Sequence, residues 1–395
     1  MRIAIITPGF LPVPDTKGGA VEMLTSYLIE ENEKNTRCLF DLYTIAPETA
    51  VSMLKETNVI SIKISKIEEY ISKIVNYVYR KLSLKKHFNF YIKKTIKEMK
   101  KREVEYDYIL VENNMYAYEA VYKKYKSNAK YVFHLHNDIG GLDKPINLCE
   151  FIAKTSFKII TVSDYIKNRF ETCTTREANV LFNCIDEKKS MVVDDKFIEN
   201  IRNKFNLDDK KKTFIYVGRI QKEKGSLELI KAFSQSDLLK EKAQLLVVGS
   251  IWYGKKGKSE YYDKIQKYVD GCDNIFLTGG MEHNKISSLM ELADVCVIPT
   301  ICEEAFGMVA LEAMVKKKAL IISNSGGLPE VVDASTPIVD RKNIVTQLRY
   351  IMEDYALKNK EELLELGNNQ YRKYKITPDF NNEGYLDRLI KILQE

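Results

Sequence analysis

Residues 295–314 read Val295-Cys296-Val297-Ile298-Pro299-Thr300-Ile301-Cys302-Glu303-Glu304-Ala305-Phe306-Gly307-Met308-Val309-Ala310-Leu311-Glu312-Ala313-Met314. The apolar run Val295–Pro299 has the length and composition of a buried strand. A short polar loop follows, and a helical pattern opens near Phe306–Met308. Strand, loop and helix in that order make half of a parallel α/β unit. The helix opening leaves backbone N–H groups without intrahelical partners, and the helix dipole adds positive potential there, so the loop is a ready anion site. Glu304 precedes the helix, and Glu312 is expected about two turns along it. Carboxylates so placed can accept hydrogen bonds from hydroxyls at two points on one sugar-containing ligand. Taken alone, the same residues also describe an ordinary acidic helix start.

The pattern repeats outward in both directions. Short apolar runs at Ile3–Ile6, Leu39–Thr44, Val59–Ile64, Tyr108–Val111, Tyr131–His136, Ile159–Val162 and Val180–Phe182 alternate with helical stretches. A second series runs through Phe214–Val217, Gln244–Val248, Ile275–Leu277, Val295–Pro299 and Ala319–Ile322. Near-continuous apolar strands indicate sheets covered on both faces. The polar stretch Asp186–Lys212, with a short helix around Phe197–Phe205, separates the two series. At 395 residues the chain is long enough for two domains. The expected division is a Rossmann-like domain over 1–190, a second over 191–375, and a terminal helical segment over 376–395.

Composition excludes several classes. The chain is 45% hydrophobic and 29% charged, with 61 Lys plus Arg against 55 Asp plus Glu, a net +6. Those values describe a globular protein with a mild preference for anions, not a dedicated nucleic-acid binder. No run approaches the 18 apolar residues of a membrane span, and the first strand is too short for a signal peptide. The seven scattered cysteines form no Cys-x-x-Cys pair and read as reduced thiols of a cytoplasmic protein. Residues 61–102 stand apart, with 13 Lys or Arg against 3 Glu among Ile, Tyr, Phe and Leu. Helical spacing of Ile71, Ile74, Val75, Val78 and Leu82 makes them either a solvated helix over a buried stripe or a peripheral contact with anionic membrane.

Three further constellations carry chemistry. Gly218-Arg219-Ile220-Gln221-Lys222-Glu223-Lys224-Gly225 directly follows a strand, where ligands of open α/β sheets bind. Arg219 and Lys224 there suit a diphosphate, although both also read as plain surface cations. Gly18-Gly19 stands before a helix after the first strand and allows close backbone approach, yet Gly-x-Gly-x-x-Gly is absent, which counts against a dinucleotide oxidoreductase. His134-Leu135-His136-Asn137-Asp138 ends another strand. Alternation puts His134 and His136 on one side. No third metal ligand is apparent, so a single histidine acting as hydrogen-bond donor is the expected role.

Together these residues resemble the family 4 glycosyltransferases of the GT-B fold, whose two Rossmann-like domains place their parallel sheets facing across a cleft. The resemblance spans nearly the whole chain and is most specific over 214–332. It rests on Gly218-Arg219…Lys224-Gly225, Glu304…Glu312 and Gly326-Gly327-Leu328-Pro329-Glu330 in family order, with Gly18-Gly19 and His136-Asn137 also in place. It implies a retaining hexosyltransferase that takes a nucleotide diphosphate sugar, UDP first. The acceptor would be a glycan, lipid-linked or protein-linked molecule of bacterial surface polysaccharide or glycoconjugate synthesis. Arg219 and Lys224 would hold the diphosphate and Glu312 the ribose. Glu304, with backbone groups of Phe306, Gly307, Met308 and Val309, would hold the sugar. His136 would contact the sugar, Gly18 and Gly19 would approach the phosphates, and Gly218 and Gly249 would line the donor site. Gly249-Ser250-Ile251-Trp252-Tyr253-Gly254 is similar to a surface-polysaccharide subset. Where the family often has a small residue, Gly and Pro after the second Glu, Val315-Lys316-Lys317-Lys318-Ala319 stands here, expected to be a surface lysine cluster. The chain holds no Asp-x-Asp, so no metal or other cofactor is expected. A sugar-nucleotide epimerase of the same fold and a non-catalytic nucleotide-sugar scaffold are the competing readings.

Overall fold

A computed structural model describes residues 1–15, 18–45, 54–82, 84, 87–140, 145–250 and 260–395. Residues 251–254 of the polysaccharide-type motif, and Ser83, Lys85 and Lys86 of the basic segment, lie outside the described residues. The chain divides into two compact units. One comprises Met1–Phe182 with Glu383–Glu395, the other Asn183–Asn382. The division thus falls before residue 190, and residues 376–382 go with the second unit rather than with the terminal segment.

The first unit is built on seven strands: β1 (Arg2–Ile6), β2 (Leu39–Thr44), β3 (Thr57–Ser61), β4 (Tyr108–Glu112), β5 (Lys130–Leu135), β6 (Lys158–Thr161) and β7 (Asn179–Val180). They lie in the order β3-β2-β1-β4-β5-β6-β7, and every pairing is parallel. Ile3, Ala4, Ile5 and Ile6 are wholly buried, as expected of a central strand with helices on both faces. The helix Tyr385–Gln394 belongs to this unit. The Glu31 carboxylate accepts the N–H groups of Gly384 and Leu386 at its start (3.0 and 2.9 Å). Near its end the Tyr108 hydroxyl donates to the Leu393 carbonyl (2.8 Å). Leu386, Leu389 and Leu393 are buried, at about 1.5–3 kcal/mol each.

The second unit has six strands: β8 (Lys212–Val217), β9 (Ala243–Val248), β10 (Ile275–Gly279), β11 (Val295–Ile298), β12 (Ala319–Ser323) and β13 (Ile338–Val339). The order is β10-β9-β8-β11-β12-β13, again parallel throughout. Both sheets therefore reverse direction beside their first strand. The switch lies between β1 and β4 in one unit and between β8 and β11 in the other. Loops leaving the carboxyl ends of those strands diverge and open a crevice. Most of the expected site residues follow β1, β8 and β11 on such loops or on the helices they lead into, while His136 follows β5 and Gly249 follows β9.

The helix Lys66–Lys81 starts with a capping box, in which the Ser65 side chain accepts from Glu68 N–H and the Glu68 side chain accepts from Ser65 N–H. None of its residues is buried. Of the expected stripe, Ile71, Ile74, Val78 and Leu82 face solvent and Val75 is part-buried, and Ile67, Tyr70 and Tyr77 are exposed beside them. The expected surface lysine cluster is corrected. Lys316 is only 6% exposed; its Nζ lies 2.7 Å from Glu291, with the Lys318 Nζ at 3.7 Å from the same carboxylate. Burial lowers the pKa of Lys318.

Candidate functional site

In the second unit β8 ends at Val217, and the Gly218 N–H donates to the Val248 carbonyl at the end of β9 (3.0 Å). The Tyr216 hydroxyl donates to the Arg219 carbonyl (2.7 Å), which fixes the backbone while the Arg219 side chain stays exposed. Among the described residues that guanidinium makes no hydrogen bond or ion pair. The loop closes through a single 3-10 turn, Lys222–Lys224, into Gly225. Gly225 has φ +69°, and a Cβ there would sit 1.9 Å from the Pro299 carbonyl oxygen. Only glycine lets this loop abut the end of β11, and that approach carries Lys224 to Glu304. Their Nζ and Oε2 are 2.5 Å apart.

The acidic loop is held at both ends. Glu304 N–H donates to Ser325 Oγ (3.1 Å), and the Glu304 carbonyl accepts from Gly327 N–H (2.8 Å). Glu303 accepts from Gly326 N–H (2.9 Å) and from the Arg341 guanidinium (2.9 Å), which also reaches the Ile301 carbonyl. The helix begins at Met308, capped by Gly307 at φ +107°. Glu312 is its fifth residue, a little over one turn in rather than two. Its Oε1 lies 3.0 Å from His283 Nε2. The Phe306 side chain is buried against Phe380, so only its backbone is available to a ligand. Met308 and Val309 sit in the first turn, where N–H groups lack intrahelical partners. Gly249, at φ +155°, follows β9, and its Cβ would strike the Gly218 carbonyl oxygen at 1.8 Å.

In the first unit Gly18 N–H donates to Asp15 Oδ1 (2.8 Å), and Gly19 caps the helix Ala20–Lys34. Glu22 in its first turn is buried. Burial, with the carboxylates of Asp15 and Glu112, raises its pKa to about 7. At the carboxyl ends of β4 and β5, Asn113 adopts a left-handed conformation (φ 50°), which asparagine tolerates. Its N–H donates to the His134 carbonyl (2.7 Å), and its side chain accepts from His136 N–H (3.0 Å). This clamp sets Glu112 between two imidazoles. Glu112 Oε2 lies 2.7 Å from His136 Nε2 and 3.1 Å from His134 Nδ1. Burial alone would raise the Glu112 pKa, but the two histidines outweigh it and lower it to about 2. Burial, then the His134 ring, lowers His136 to about 4. His136 Nδ1 is buried without a partner.

Glu112 supplies the third residue of a possible metal-ligand set that the histidine pair lacked in sequence. The residues missed by sequence reasoning are Glu112, His283 and Arg341. Each meets its partner across more than 20 positions, and no local pattern marks it. His136 meets Glu112 through Nε2, which leaves Nδ1 as its unpartnered ring atom.

Residues 197–373 match the family described as "Glycosyl transferases group 1". The lipopolysaccharide 1,2-N-acetylglucosaminetransferase of Salmonella typhimurium is 31% identical over 231 residues, covering 57% of this chain and 56% of the relative; the match thus spans little more than half of that protein. Spore coat protein SA of Bacillus subtilis is 25% identical over 345 residues, covering 84% of this chain and 83% of its own. Among solved structures, Anabaena HepE in complex with UDP and glucose superposes with a TM-score of 0.74 at 15% identity, covering 100% of this chain and 99% of that one. At that identity the likeness concerns the fold, and two parallel-sheet Rossmann-like units make it GT-B. Among the described residues no helix is long and apolar enough to cross a membrane.

Proposed function

We propose that this chain is a retaining family 4 glycosyltransferase that moves a hexose or N-acetylhexosamine from a UDP-sugar to a glycan or lipid-linked acceptor of bacterial surface polysaccharide synthesis. The observation that carries the proposal is the second unit's switch point, within the matched segment. There exposed Arg219, the Lys224–Glu304 pair and Glu312 lie on the loops and the helix that follow β8 and β11. A departing nucleoside diphosphate develops negative charge, and preorganised cations beside a helix N-terminus stabilise it. Arg219 gives planar two-point contact and Lys224 a point charge. Glu304 takes sugar hydroxyls and Glu312 the ribose. Among the described residues no carboxylate is placed as an obvious nucleophile, so the acceptor attacks on the face the diphosphate leaves, and the leaving phosphate takes the acceptor proton. In this reading the cations do the work of a divalent ion, so activity persists in EDTA.

The test is a thermal-shift and transfer screen against UDP- and GDP-sugars in EDTA. One donor should raise the melting temperature by mass action and lose that effect in Glu312→Ala. A chain that binds no donor with or without divalent ions refutes the reading.

The partner surface follows from the helix Lys66–Lys81. Its exposed apolar stripe, flanked by Lys63, Lys73, Arg80 and Lys81, has the character of an interfacial helix. We assign it to an anionic lipid surface on the cytoplasmic side, where a lipid-linked acceptor is presented. Phosphatidylglycerol vesicles should co-sediment the protein at low salt and release it at high salt, with Ile74→Asp weakening the binding. Equal partition onto neutral vesicles would remove this assignment.

A further inference from the structure

We infer that Glu112 is a positioning residue which holds His136 in one tautomer, so that His136 Nδ1 presents a lone pair to a ligand hydroxyl at the carboxyl edge of the first unit's sheet. This rests on the proposed transfer reaction and adds a residue that neither the sequence motifs nor the relatives assign. The geometry carries it. A carboxylate accepts hydrogen bonds and does not donate them. Across the 2.7 Å contact with Glu112, His136 Nε2 must therefore carry the proton. The other nitrogen is then an acceptor, and it is buried with no partner. A buried unpaired acceptor is rare in proteins and calls for an account. The strand end on which it sits belongs to the edge where ligands of parallel sheets bind.

The state is stable over the working range. Glu112 stays ionised and His136 neutral, because their pKa values are lowered to about 2 and about 4. No proton moves between them near neutrality, so the pair orients and does not shuttle. The groups facing it are Glu112 from β4, His134 from β5 and, acting at longer range, Glu22 from the helix Ala20–Lys34. Asn113 makes the arrangement rigid, since its amide and side chain tie the ends of β4 and β5 together.

The competing occupant is a metal ion on Glu112, His134 and His136, whose candidate ligand atoms lie within 4.8 Å of one another. A zinc ion with ligands at about 2.0–2.2 Å in tetrahedral array keeps neighbouring donor atoms roughly 3.3 Å apart. The Glu112–His136 contact is shorter than that and has hydrogen-bond length. The hydrogen-bonded reading is therefore favoured.

The experiment uses the full chain labelled with 15N-histidine, whose four histidines make assignment by single substitution practical. Long-range proton–nitrogen spectra should show His136 protonated at Nε2 from about pH 5 upward. Glu112→Leu should abolish that single-tautomer pattern. It should lower sugar transfer about 100-fold, the scale of one lost orienting contact, while UDP alone still raises the melting temperature as in the parent. Glu112→Gln keeps the volume and an acceptor oxygen and should retain more activity than Glu112→Leu, which separates positioning from collapse of the fold. A proton on Nδ1, transfer within twofold of the parent in Glu112→Leu, or stoichiometric zinc in the purified chain would each overturn the inference. Failure of the parent to bind UDP would count against the transferase reading while leaving the tautomer result standing.

Discussion

The two units repeat one architecture and use it in opposite ways. Each has a parallel sheet reversing beside its first strand, with candidate site residues at the carboxyl ends of its strands. In the second unit those ends present charge: Arg219 is exposed, and the Lys224–Glu304 and Glu312–His283 pairs are part-exposed. In the first unit the corresponding groups, Glu22, Glu112, His134 and His136, are all buried. A charged edge suits ligand charge that must be met and released. A buried, hydrogen-bonded edge suits orientation, because low local dielectric makes each polar contact stronger and each unpaired group costlier. In the proposed reading the same topology serves electrostatic work in one half and geometric work in the other.

The largest effect should come from breaking the charged edge. Arg219→Ala is expected to lower turnover by about 10²–10³, the scale of one preorganised donor, with thermal stability unchanged because the side chain has no partner among the described residues. A steady-state rate near the parent value would dissolve the contrast. Next is the backbone that shapes this edge. Gly249→Ala places a Cβ 1.8 Å from the Gly218 carbonyl at φ +155° and should cost about 1–3 kcal/mol, read as a lowered midpoint in urea.

The buried edge is tested through pH. Burial raises Glu22 above its ordinary value to about 7, so the folded chain binds this proton more tightly than the unfolded one. Stability should therefore fall as pH rises from about 4.5 to about 7 and then level off. Glu22→Gln should raise the melting temperature at pH 8 by a few degrees and leave it unchanged at pH 4; equal shifts at both pH values would show that burial of the charge is not the cause. The smallest effect belongs to His283→Gln, which loosens Glu312 at a half-exposed pair. Pairs of that kind contribute about 0–1 kcal/mol, so the KM for a UDP-sugar should rise only a few-fold with kcat unchanged.

How legible was this in the chain? Local pattern carried the sheets. Leu39–Thr44 reads as a strand and is one, because an apolar run between polar turns needs no distant information. The third strand begins earlier than its apolar residues suggest, at Thr57, because Thr57 pairs with Phe40 and the Asn58 amide donates to Asp41. Ile338–Val339 escaped notice, since two residues at a sheet edge leave no periodicity. The cation loop after β8 and the two glutamates after β11 each sit on a single βα connection, so local spacing is enough to place them. Glu112 was not. It closes an otherwise apolar strand and gains meaning only beside an imidazole 24 positions on. Lys316 looked like surface for the same reason, its partner Glu291 lying 25 positions back. Non-local pairing of polar groups is what sequence pattern does not encode.

The helix Tyr385–Gln394, fastened to Glu31 and Tyr108, makes the first unit discontinuous in the chain. Residues 183–382 are contiguous, whereas the first unit needs segments from both sides of them. Cutting the chain after residue 382 would remove the helix that Glu31 and Tyr108 hold and leave the contiguous unit whole, so the damage would fall on the unit farther away in sequence.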